Sequence, residues 1–133
     1  LAKSHPKVTL VLTLPGGDFS ELVGQEPLYN VLNIGVVTRE EVMARMKASS
    51  ALIFPSKAET FGIPLIEASV LGLPIIASEL DFVRDVCSPV ETFDPNSIDA
   101  IVDAVARFTG ENNKVKRSKL LSADEFVSKL YQL

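Results

Sequence analysis

Four short, almost uninterrupted apolar runs punctuate this chain: Val8 to Leu14, Asn30 to Ile34, Ala51 to Phe54 and Pro74 to Ala77. Runs of that length without polar alternation suit strands covered on both faces, the signature of a parallel sheet. Between them lie amphipathic patterns with readable ends. Thr38 and Glu41 have capping-box spacing ahead of Val42, Met43 and Met46. Asn96 or Ser97 precedes a stripe of Ile98, Ile101, Val102, Val105 and Phe108, which Gly110 terminates. Strand followed by helix, repeated with short connections, predicts an α/β fold built on a doubly wound, mostly parallel sheet.

The division that follows is a partial α/β domain over residues 1–110, then a linker and a C-terminal helix over 111–133. Ser122 and Glu125 form a second capping box in front of Phe126, Val127, Leu130 and Tyr131. That stripe needs a surface, either this domain's own sheet or a second domain. The opening Leu1-Ala2-Lys3-Ser4-His5-Pro6 has no apolar core of a signal peptide and no initiator methionine, so the chain reads as a fragment.

Composition removes several function classes. A net charge of −4 argues against general nucleic-acid binding, which needs a concentrated basic face. The cluster Lys114, Lys116, Arg117 and Lys119 is the exception, and reads first as a solvated linker. One cysteine, Cys87, and one histidine, His5, provide neither an internal disulfide nor a zinc ligand set, and fit a reducing, cytoplasmic setting. Cys87, expected in a turn beside Ser88-Pro89, has no histidine nearby in sequence to activate it.

The informative stretch is Phe54-Pro55-Ser56-Lys57-Ala58-Glu59-Thr60-Phe61-Gly62-Ile63-Pro64-Leu65-Ile66-Glu67-Ala68. A strand ends at Phe54, a polar loop follows, and Gly62 with Pro64 announces a helix whose first position is expected at Pro64. Ligands of open parallel sheets bind beyond the carboxyl ends of the strands, where this loop lies. Backbone amides of Gly62, Ile63 and Leu65 are expected to point from the helix start toward a phosphate or sugar hydroxyl. Glu59 and Glu67, with seven residues between them, can address one ligand through a pair of vicinal hydroxyls. Taken singly, Glu59 also reads as a surface charge and Glu67 as an acid near a helix start.

Pro55-Ser56, Glu59, Phe61-Gly62, Pro64-Leu65, Glu67-Ala68, Gly72, Pro74 and Ile76-Ala77-Ser78 together resemble the donor-binding half of retaining GT-B glycosyltransferases with the Glu-x7-Glu motif, the group 1 family. The resemblance covers roughly residues 5 to 109 and extends to Asn30 to Gly35 and Phe93-Asp94-Pro95. It implies that Glu59 acts on donor-sugar hydroxyls and that Phe61, Gly62 and Ile63 give amides to sugar and phosphate. It implies that Leu65 continues the helix start and that Glu67 takes the ribose hydroxyls. Backbone near Val37, with Thr38 or Arg39, borders the nucleobase or is a plain helix cap. Gly16, with Gly17, faces the donor or simply turns the chain.

The same resemblance implies a nucleoside diphosphate sugar as substrate, no metal (no Asp-x-Asp occurs), and an acceptor-binding half, a first strand and basic residues upstream. Lys57, Arg39 and Arg84 are not assumed to replace those basic residues. The intact enzyme would be cytoplasmic with peripheral membrane contact, while the chain alone is expected to be inactive. Without the first strand, the strands at Val8 to Leu14 and Ala51 to Phe54 are expected to pair directly or to associate with another copy through exposed edges. A receiver-like domain or another noncatalytic α/β interaction module is the competing class. A receiver needs a phosphorylatable aspartate where Phe54-Pro55-Ser56 stands, and Gly16-Gly17 fails the dinucleotide fingerprint.

Overall fold

The computed structural model describes residues 7–23, 28, 30–110 and 119–120. They form two compact units, one within Leu1–Val42 and one within Met43–Leu133. The first unit holds β1 (Leu10–Leu12), α1 (Gly16–Val23), β2 (Val31–Asn33) and the start of α2 (Arg39–Ala48). The second holds the rest of α2, then β3 (Leu52–Phe54), α3 (Ile63–Val70), β4 (Ile75–Ser78) and α4 (Asp81–Val86). It continues through β5 (Cys87–Ser88), β6 (Glu91–Phe93), α5 (Ile98–Thr109) and β7 (Lys119–Leu120).

All four apolar runs become strands, and their ladders are parallel. In the first unit Leu10, Val11 and Leu12 pair with Val31, Leu32 and Asn33. In the second, β4 lies between β3 and β6, with Ile53 opposite Ile76 and Ala77 opposite Thr92. All four residues of β4 are buried, as a central strand covered on both faces requires. A short antiparallel pair, Cys87 with Leu120 and Ser88 with Lys119, adds β5 and β7. One continuous sheet was the expectation; the described residues instead give two separate parallel sheets, β1-β2 and β3-β4-β6. Direct pairing of β1 with β3 is not formed, since among the described residues β1 bonds only β2 and β3 only β4.

Leu65 and Ala68 of α3, Ile75, Ile76 and Ala77 of β4, Val83, Cys87, Phe93, and Ala104 and Val105 of α5 make the core of the second unit. Each large side chain there is worth about 1.5–3 kcal/mol of burial. The caps read from the sequence are present. The Thr38 amide donates to Glu41 Oε2 at 2.8 Å and the Glu41 amide to Thr38 Oγ1 at 3.3 Å, closing the capping box of α2. Ser97 caps α5, accepting from the Ala100 amide at 3.1 Å. Ile98, expected in the buried stripe of α5, is 79% exposed, standing at the first position of the helix directly after its Ser97 cap. Cys87 lies in β5 and not in a turn, and burial pushes its thiol up to about 11. Residues 111–118 and 121–133, which include most of the basic cluster and the stretch expected to form a C-terminal helix, lie outside the described residues, as does His5.

Candidate functional site

The segment from β3 to α3 is shaped by local hydrogen bonds and one glycine. Phe54 ends β3 buried, and Ser56 Oγ donates to the Ala58 carbonyl at 2.8 Å, turning the loop. Glu59 is exposed, with Oε2 accepting from the Thr60 amide at 3.2 Å. Gly62 then takes φ 59° and ψ 39°, the left-handed region where a Cβ is penalised. A Cβ at that position would also stand 3.2 Å from Leu65 Cδ1. The helix begins at Ile63, placing Pro64 second rather than first. Proline is tolerated there because a first-turn N–H has no intrahelical acceptor.

The Gly62 carbonyl accepts from both Leu65 (2.9 Å) and Ile66 (3.2 Å). The expectation of a free Leu65 amide is therefore corrected: the tight first turn consumes it, and the Leu65 side chain is wholly buried. Among the described residues no hydrogen bond uses the amides of Phe61, Gly62 or Ile63. Phe61 and Ile63 are exposed, Gly62 buried. Glu67 is the fifth helical residue, half-buried, with its side chain on the same flank of the helix as Ile63 and Val70. At the far end, Gly72 (φ 66°) donates to the Ser69 carbonyl at 3.0 Å and Leu73 to the Ala68 carbonyl at 2.9 Å. This pair of bonds is a Schellman motif, and buried Leu73 supplies its apolar contact.

The structure thus places Glu59, Phe61, Gly62, Ile63, Leu65 and Glu67 in one continuous segment at the carboxyl end of β3. Gly16, Val37 and Arg39 belong to the first unit, each beyond the carboxyl end of its own strand. Gly16 is the first residue of α1, so the pair Gly16-Gly17 starts a helix and is not a loop turn. Thr38 is spent on the cap, which favours the plain-cap reading for that residue. Val37 is half-buried and Arg39 exposed at the start of α2.

One feature at the same edge of the second sheet escaped the sequence. A cavity of about 440 Å³ opens where β4 and β6 end, lined by Glu79, Leu80, Thr92, Phe93, Asp94, Pro95 and Asn96. Glu79 and Arg84 pair in bidentate fashion beside it, with Arg84 Nη2 2.6 Å from Glu79 Oε2. The Arg84 guanidinium, then the Thr92 hydroxyl, hold the Glu79 carboxyl down at about 2. Only the lead Phe93-Asp94-Pro95 hinted at a boundary there; the pairing of Glu79 with Arg84 has no sequence signal. Among the described residues no group of three or more His, Cys, Asp or Glu side chains is placed to hold a metal ion.

The second unit is thus a parallel α/β frame whose β3–α3 loop carries the Gly62 turn and two flanking acids. The model of the glycosyl transferases group 1 family matches residues 16–120. The chain belongs to that family. The match runs from the first residue of α1 to the end of β7, so it takes in parts of both units of this group 1 glycosyltransferase chain, with β1 lying before it. The chain is similar to a glycogen synthase of Mycobacterium tuberculosis, 29% identical over 84 residues, covering 60% of this chain and 20% of that protein. It is similar to the O-antigen chain mannosyltransferase B of Escherichia coli, 32% identical over 69 residues, covering 51% and 18%. A third relative, the 2-deoxystreptamine N-acetyl-D-glucosaminyltransferase of Niallia circulans, is 29% identical over 98 residues, covering 71% and 25%. The aligned part therefore spans a quarter or less of each of these relatives. No helix among the described residues is long and apolar enough to cross a membrane.

Proposed function

We propose that this chain is the nucleotide-sugar-binding part of a retaining glycosyltransferase of GT-B architecture. The observation that carries the reading is the start of α3. A left-handed Gly62 turns the chain so that the Phe61, Gly62 and Ile63 amides stay unbonded among the described residues, with Glu59 and Glu67 on either side. Unbonded amides at a helix start favour anionic oxygen, and carboxylates favour hydroxyl pairs, the two chemistries of a nucleoside diphosphate sugar. Glu67 takes the ribose hydroxyls, Glu59 the sugar hydroxyls, and the amides the phosphate. Gly16, Val37 and Arg39 are assigned, within the first unit, to phosphate and nucleobase recognition, and Leu65 acts only as the buried anchor of the helix.

In the complete enzyme an acceptor hydroxyl bonds to the anomeric carbon on the face from which the nucleoside diphosphate leaves, so configuration is kept, its proton passes to the departing diphosphate, and charge stabilisation on the diphosphate supplies much of the acceleration. No metal is assigned to the step. The acceptor surface and further basic groups come from outside this chain, so the chain alone binds donor without transferring sugar. The enzyme acts in the cytoplasm, with peripheral membrane contact when its acceptor is lipid-linked.

Calorimetric titration with uridine, guanosine and adenosine diphosphates and their glucose and mannose conjugates tests the assignment. Glu67→Ala should weaken the bare diphosphate by about 1.5–3 kcal/mol. Glu59→Ala should weaken only the sugar conjugate. Equal losses for both ligands in both variants would refute the division of roles.

A further inference from the structure

We propose that Asn33 is a positioning residue that ties the loop entering α1 to the loop entering α2, holding both as one donor-facing edge; this rests on the donor-binding reading above. The last main-chain rung between β2 and β1 is the Ile34 amide to the Leu12 carbonyl at 2.9 Å. Beyond it the side chain of Asn33 takes over. Its Oδ1 accepts from the Leu14 amide at 2.9 Å and its Nδ2 donates to the Leu14 carbonyl at 2.9 Å. The same Oδ1 lies 3.4 Å from the Gly35 amide.

A carboxamide carries one acceptor and one donor in a single plane, as a peptide group does. Asn33 therefore offers Leu14 the rung that a longer β2 would have given, while its own main chain is already turning away through Gly35 at φ 74°. Asn30, just before the strand, donates through Nδ2 to the Val8 carbonyl at 2.9 Å. Asn33 bonds to main chain on both loops.

What those loops carry gives the contact its meaning. Leu14 is followed by Pro15, whose ring fixes φ, and then by Gly16 at the first position of α1. Gly35 is followed by Val36, Val37 and the capped start of α2 at Arg39. A shift of the Asn33 amide is transmitted through a stiff step to Gly16 on one side and through two residues to Val37 on the other. The two edges assigned to phosphate and nucleobase consequently keep a fixed spacing only while Asn33 is bonded to both.

A coupling cycle read by amide NMR of the chain tests this, with uridine, guanosine and adenosine diphosphates as probes. Asn33→Leu removes all three contacts; Asn33→Asp keeps the acceptor contacts, loses the donor to the Leu14 carbonyl, and serves if the leucine variant does not fold. Pro15→Ala frees the fixed φ of the step between Leu14 and Gly16 and so perturbs the loop entering α1. The expected result is that Pro15→Ala shifts the Gly35 and Val37 amides in the wild-type background, shifts them less with Asn33→Asp, and leaves them unmoved with Asn33→Leu. Diphosphate affinity should fall about tenfold or more in the order wild type, Asn33→Asp, Asn33→Leu, beyond any change in unfolding midpoint. Equal transmission of the Pro15→Ala shift in all backgrounds would overturn the coupling, and unchanged affinity in both Asn33 variants would overturn the positioning role. Failure of the wild-type chain to bind any diphosphate, with the amide coupling intact, would instead sink the donor-binding reading and leave Asn33 as a loop tie without that ligand.

Discussion

Replacing Gly62 by alanine should cost this fold about 1–2 kcal/mol, and the structure shows where the cost arises. A non-glycine residue at φ 59° pays about 1–2 kcal/mol for its Cβ. The new methyl would lie 3.2 Å from Leu65 Cδ1 and 3.7 Å from Val86 Cγ2. Val86 is at ordinary contact distance, so the crowding falls on Leu65. That side chain is 0% exposed and must adjust inside the core, which adds a few tenths of a kcal/mol or more. Opposing both terms, alanine lowers the entropy of the unfolded chain and returns about 0.4–1 kcal/mol. With a urea slope of about 1.5 kcal/mol per molar, the midpoint should drop by about 1 M. Circular dichroism during urea unfolding measures it. Gly62→Asn separates the two causes, because asparagine tolerates left-handed backbone but keeps the Cβ crowding, and should fall between wild type and Gly62→Ala. Gly17→Ala is the control: no left-handed backbone and no neighbour within 4 Å, hence no loss and a gain of up to about 1 kcal/mol. A Gly62→Ala midpoint equal to wild type would refute the reasoning.

Arg84→Ala should return the Glu79 carboxyl from about 2 toward the ordinary carboxylate range, as followed by carboxyl NMR titration. The folded carboxyl gives up its proton at lower pH than the unfolded one, so the pair stabilises fully above about pH 5 and loses its effect as pH falls toward 2. Both side chains are about half exposed, which limits the pair to roughly 1 kcal/mol or less, and the stability difference between wild type and variant should vanish in strong acid. Ser97→Ala removes the side-chain acceptor for the Ala100 amide and should cost about 1 kcal/mol, seen as a lower thermal midpoint. Cys87, 1% exposed with its thiol pushed up to about 11, should resist a disulfide reagent at pH 8 and react at once in denaturant.

Much of the architecture was legible because single local causes produce it. Val8 to Leu14 and Pro74 to Ala77 read as strands since burial on both faces removes polar alternation, and Thr38 with Glu41 reads as a helix start because its partners lie three residues apart. Helix α1 was not legible: it opens on Gly16 and Gly17, poor helix formers, and its anchor is the Pro15 carbonyl accepting from Phe19 at 3.0 Å. Nor was α4, six residues long with no side-chain cap. At the candidate site the spacing of Glu59, Gly62 and Glu67 marked the segment, yet the commitment of the Leu65 amide followed from the dual use of one carbonyl, which no residue type announces. The rung from Asn33 to Leu14 joins positions 19 apart, and the Glu79 cavity depends on β4 and β6 lying side by side; pairings at that separation are set by the sheet rather than by neighbours in sequence.

The two left-handed glycines that bracket α3 also limit how a chain of this kind can diversify. With Gly62 setting the entry and Gly72 the exit, the helix has a fixed length and phase, and one extra residue inside it would rotate everything downstream by about 100°. Glu67 would leave its flank, or Leu73 would leave the core. The exposed stretch Lys57 to Thr60 lies before both fixed points, so length and side-chain changes there alter what meets a ligand without disturbing the helix. Variation in ligand preference has its cheapest route through those four positions, and an insertion scan across residues 56–73 should find tolerance before Phe61 and collapse after it.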